Sequence, residues 1–129
     1  MIEGPELEDF LEAHELAGQV SEIRTPGFKQ STEKGMRKLA GVVNDAKEFE
    51  DPYRLAAFIL IETINKHAFN DGNHRTAWIV AKKVLRKNKE EMRVEKIKSF
   101  DEIESDLKSE VKFKDVDQVS SWIRTGDFQ

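Results

Sequence analysis

The chain contains no cysteine, which removes disulfides, thiol nucleophiles and thiolate-bound metals and suits a reducing compartment. No apolar run is long enough to cross a bilayer, and the acidic N-terminus is unlike a secretion signal. The expectation is a cytoplasmic protein with no membrane partner. Positive charge is not in excess either. A net charge of −4 and a pI near 5.5 argue against a nucleic-acid partner. Neither a Walker sequence nor a G-x-G-x-x-G run occurs, so the common nucleotide-binding folds are excluded. Repeats, low-complexity tracts and linkers are missing, so nothing marks a domain boundary.

What is present suits one domain over residues 1–129, with 36% charged and 38% hydrophobic residues and helical spacing throughout. Leu7, Phe10, Leu11, His14 and Ala17 recur at helical spacing after Pro5, and His14 on that apolar face reads as a structural, half-buried histidine. Residues 21–31 break the pattern. Thr25-Pro26-Gly27-Phe28 has the composition of a type II turn, so a small β-hairpin or irregular flap is expected at residues 22–30. From Thr32 to about Glu48 a helix returns, with Met36, Leu39, Ala40, Val43 and Ala46 on one face and Gly35 and Gly41 weakening it. Asp51 and Pro52 are start signals for a helix running to about Lys66, apolar on more than one side and hence central. A second central helix is expected over 73–87. Residues 92–98 are ambiguous, a short extended piece being one reading, while Ser99 to Glu102 reads as a capping box opening a helix to about Val111 and Asp115 as the cap of the last helix. The fold class is all-α: a compact bundle of about six or seven helices around a central helix–loop–helix.

Between the two central helices lies His67-Ala68-Phe69-Asn70-Asp71-Gly72-Asn73-His74-Arg75-Thr76-Ala77, a polar loop on a rigid support. Gly72 allows a sharp entry into the following helix, whose first N–H groups and dipole form an anion site. Asn73 adds an amide donor, and Arg75 a planar fork suited to phosphate oxygens. Asp71 is placed to hold Mg²⁺ bridging those phosphates, and His67 can take a proton near neutral pH. Phe69 anchors the loop in the core. Singly, such polar loop residues are ordinary solvated or capping groups. An EF-hand register would put Phe69 and His67 where oxygen ligands belong, and His67 with His74 matches no standard zinc spacing.

At these positions the chain resembles the Fic/Doc family, His-x-Phe-x-(Asp/Glu)-(Gly/Ala)-Asn-x-Arg. Its Doc (death-on-curing) branch continues Arg-Thr-Ala, as Arg75-Thr76-Ala77 does here. The resemblance implies a six-helix core and transfer of phosphate or a nucleoside monophosphate from ATP, or another nucleoside triphosphate, to a Ser, Thr or Tyr hydroxyl of a target protein. It implies His67 as general base, Asp71 as Mg²⁺ ligand, and Gly72, Asn73, His74 and Arg75 as the phosphate site. A flap including Ile23, Arg24, Gly27 and Phe28 would dock the target by strand-like pairing.

Relatives that transfer AMP read Gly-Asn-Gly-Arg-x-x-Arg; here His74 replaces the second of those glycines and Trp78 the second arginine. Doc-like relatives carry a Lys at the first of these positions, and His74 resembles it in bulk. Phosphate transfer is therefore expected, with AMP transfer as the alternative and a catalytically silent nucleotide- or protein-binding module as the second. The family's inhibitory Ser/Thr-x-x-x-Glu-Gly/Asn sequence is not found. The resemblance thus implies a toxin acting on the translation machinery, with an elongation factor among its targets, restrained by a separate antitoxin.

Overall fold

The computed structural model describes residues 2–20, 27–28 and 31–128, the side chains of residues 19 and 20 excepted. Seven α-helices are described: α1 Leu7–Val20, α2 Thr32–Ala46, α3 Pro52–Lys66, α4 Asn73–Lys87, α5 Val94–Ile97, α6 Phe100–Ser109 and α7 Val116–Thr125. A 3-10 turn, Val111–Phe113, joins the last two. No strand occurs among the described residues, and the all-α expectation holds.

The helix starts are chemical. Asp51 accepts the Tyr53 N–H at 2.9 Å, and Pro52, which has no N–H to satisfy, opens α3. Ser99 caps α6 through the Glu102 N–H, and Asp115 with Gln118 forms a reciprocal capping box on α7. Burial decides the middle of the bundle. Leu55, Ala56, Ala57, Ile59 and Leu60 are fully buried along α3, which packs most extensively on α4 and then on α7. α1 covers α4, and α2 covers α3. Trp78 of α4 meets Trp122 of α7 with ring centroids 5.9 Å apart.

Four expectations shift. The first helix begins at Leu7 rather than Pro5. Within residues 92–98, Val94–Ile97 form the single-turn α5 instead of an extended piece, with buried Val94 in the core and the Arg93 N–H bonded to Ile123 O of α7 at 2.8 Å. α6 stops at Ser109 rather than Val111, whose buried side chain sits in the tighter 3-10 turn. On α2 the buried stripe is Gly35, Leu39, Val42 and Ala46, leaving Ala40 exposed. Phe28 accounts for Gly35: a Cβ there would run into the Phe28 ring. Ile23, Arg24 and most of the 22–30 hairpin lie outside the described residues.

Candidate active site: the loop between α3 and α4

α3 ends at Lys66 and is capped by His67, whose backbone is left-handed (φ 50°, ψ 54°), a conformation histidine tolerates better than most side chains. The preceding carbonyl, Lys66 O, accepts from Lys38 Nζ at 3.1 Å. Ala68 and Phe69 are buried, so Phe69 anchors the loop as expected. α4 begins after Gly72, also left-handed (φ 80°), with no side chain capping its first N–H groups and no acidic residue in its first turn. An uncapped helix start has free N–H groups and a dipole that favour an anion.

The loop is closed from within by Asn73. Its Oδ1 accepts the Phe69 N–H at 3.1 Å, and its Nδ2 donates to Phe69 O at 2.9 Å, all buried. Asn73 therefore spends its amide on the loop itself, and its contribution to the anion site is the backbone N–H of the helix start. Asp71 is half-buried, and its Oδ1 accepts the Gly72 N–H at 2.8 Å. No group of three or more His, Cys, Asp or Glu that could hold a metal exists among the described residues. That donor set fits Mg²⁺ bound in its common manner, through one carboxylate with substrate phosphates and water, and does not fit an all-protein cage.

His74 is half-buried one residue into α4. Burial pushes its pKa below the usual 6.5. The Glu104 carboxylate opposes that, while Lys108, Lys112 and His67 add to it. The site thus gathers charged groups from α6 and the 3-10 turn, which the motif does not announce. The Arg75 guanidinium lies 4.4 Å from the Phe100 ring centroid, in cation–π range. Both line a cavity of about 490 Å³ with Leu16, Trp78, Ile79 and Ile103, most of its wall apolar. Trp78, one of these lining residues, is buried.

Of the flap residues, Gly27 and Phe28 reach the loop. Phe28 makes an isolated antiparallel bridge with Phe69, and the Asn70 N–H bonds to Gly27 O at 2.9 Å. Gly27 has φ 96°, which suits glycine. The Phe28 and Phe69 rings stack with centroids 5.1 Å apart. One neighbour could not be found from the motif: His14 of α1, which stacks on Phe69 and bonds to Asp71 O. Its only sequence signal was a polar residue on an apolar helical face.

Compared with known protein families, the chain matches the one described as the Fic/DOC family over residues 7–85, from the start of α1 to near the end of α4. No curated protein and no solved structure matches it.

Proposed function

The chain belongs to the Fic/DOC family of nucleotide-using, protein-modifying transferases, and we propose that it moves the γ-phosphate of ATP, or of another nucleoside triphosphate, onto a Ser, Thr or Tyr hydroxyl of a target protein. The observation that carries this reading is His67 at the left-handed C-cap of α3, joined by one tightly closed loop to the uncapped start of α4 and near enough to His74 to depress its pKa. His67 takes the proton of the target hydroxyl as its oxygen attacks the γ-phosphorus. The bond from that phosphorus to the bridging oxygen breaks, and ADP leaves with the electron pair. The N–H groups at the start of α4 and Arg75 hold phosphate oxygens, and Asp71 would hold Mg²⁺, which supplies charge neutralisation when bound. This chemistry depends on position more than on covalent help from the protein.

Phosphate is favoured over AMP by His74. A half-buried imidazole fills the start of α4 where AMP-transferring relatives carry a glycine, and Trp78 replaces their second arginine. The crowded start supports a nucleotide lying with its γ-phosphate toward His67. Restraint by a separate antitoxin is part of the same proposal. The apolar cavity beside Arg75, whose lining also includes Lys82, Lys96, Lys98 and Glu95, suits an amphipathic segment of such a partner.

Intact mass of proteins modified in a lysate by the purified chain and ATP tests the assignment. An added phosphate supports it, and an added AMP replaces it while keeping the same base and loop. Nucleotide binding without modification of any protein would instead identify a silent binding module.

A further inference from the structure

The Asp71–Gly72 peptide joins the candidate metal ligand to the start of α4. Gly72 follows it with φ 80°, so small torsional changes there would swing both the Asp71 carboxylate and the first turn of α4. This peptide plane is held at both edges. Its N–H bonds to Asp71 Oδ1 at 2.8 Å, and its carbonyl oxygen lies 3.0 Å from His14 Nε2. Because the peptide is planar, fixing the carbonyl direction also fixes the N–H direction.

His14 is itself fixed in two independent ways. The carbonyl can only accept, so His14 Nε2 carries the proton and donates in the plane of the ring. The face of the ring lies parallel to Phe69, with 3.8 Å between centroids and an interplanar angle of 4°. Phe69 is in turn gripped by Asn73 through its backbone and stacked by Phe28. A leucine or phenylalanine would fill the same space on α1, but neither could donate to the loop. The imidazole is chosen for its N–H.

We propose that His14 is a positioning residue for the transfer reaction, holding the Asp71–Gly72 peptide so that the Asp71 carboxylate faces the nucleotide-bound Mg²⁺ in working geometry. This rests on the phosphotransfer reading and names the residue outside the motif that sets its metal ligand. His14 touches neither phosphate nor hydroxyl; it acts through Asp71. Misplacing a ligand by a fraction of an ångström is costly in rate, and the loss should be recoverable by raising the metal concentration.

Two variants separate the two contacts. His14→Phe keeps the stack and removes the donor, while His14→Gln keeps a donor of similar reach and removes the ring. For His14→Phe the transfer rate at low Mg²⁺ should fall on the order of 10–100-fold, with the half-saturating Mg²⁺ concentration raised. His14→Gln should recover most of the loss. A merely structural role would lower the amount of folded protein without moving the Mg²⁺ dependence. A readout independent of activity is the ¹⁵N spectrum of the wild-type imidazoles at alkaline pH, where His14 should carry its proton on Nε2. An Nδ1-protonated His14 overturns the proposal, and so does a His14→Phe variant with wild-type rate and Mg²⁺ dependence. If His14→Phe fails to fold, the His14→Gln kinetics and the wild-type tautomer decide. If the wild-type chain transfers nothing, the functional reading fails, and the tautomer with the Mg·ATP affinity of His14→Phe by calorimetry still judges the brace.

Discussion

The Asn73 side chain reaches back to Phe69 with both of its polar atoms, so one residue closes the loop to which the chemistry is proposed to belong. Removing it strands a buried N–H and a buried C=O, and each orphaned group costs about 1–3 kcal/mol. Asn73→Ala should therefore destabilise the protein by roughly 2–4 kcal/mol, read from the denaturant midpoint at unchanged slope. Asn73→Asp, which sets a carboxylate oxygen against the buried Phe69 carbonyl, should cost at least as much. His67 responds differently. Its left-handed backbone ends α3, but its imidazole is assigned to the chemical step, and a general base contributes about 10²–10⁴-fold to rate. His67→Ala should lower transfer by that factor and leave nucleotide affinity almost unchanged. Equal transfer by wild type and His67→Ala would remove His67 from the mechanism.

Among the elements, α1 and α4 are joined by charge as well as by apolar contact. Buried Asp9 of α1 pairs with Lys83 at 2.6 Å and Lys87 at 2.8 Å, and it accepts the Glu6 N–H at 2.8 Å. Burial alone would raise its pKa. The Glu6 N–H and the two ammonium groups outweigh that and bring it from 3.8 down to about 2. A carboxylate whose folded pKa is depressed stabilises the fold above its unfolded pKa, and the contribution fades as pH falls through the folded value. Asp9→Asn should thus cost about 2 kcal/mol at neutral pH, and its stability should converge on wild type between about pH 4 and pH 2. Chemical denaturation across that range reads it. A gap that persists at pH 2 would assign the loss to packing instead. Nearby, Asn88 at the end of α4 bonds to both the N–H and the carbonyl of Glu3, tying the chain start to the same helix pair. This clasp keeps α1 on α4, where His14 can reach the loop.

For the molecule as a whole, the proposed toxin role predicts that expression of the chain alone slows bacterial growth and that His67→Ala relieves it. Harmless expression of a chain shown to be active in vitro would count against that role. The family match ends at Leu85, yet Phe100, Glu104, Lys108 and Lys112, beyond that boundary, surround Arg75 and His74. Truncation after α4 would also remove Trp122, which is fully buried against Trp78. The sequence by itself determined the helices and most of their starts, because caps such as Asp51, Ser99 and Asp115 act within three residues of themselves. It determined the motif loop for the same reason, since His67 to Arg75 are neighbours along the chain. It could not place α5, where the contact that decides lies with Ile123, or the buried stripe of α2, which packs on α3 and, at Gly35, against Phe28. Only the tertiary structure decided that Arg75 rests on Phe100, that burial lowers the His74 pKa while α6 brings Glu104 and Lys108 to it, and that His14 bonds to Asp71 O. Those pairs are distant in sequence and meet only once the helices have crossed, so no local pattern of spacing or propensity encodes them.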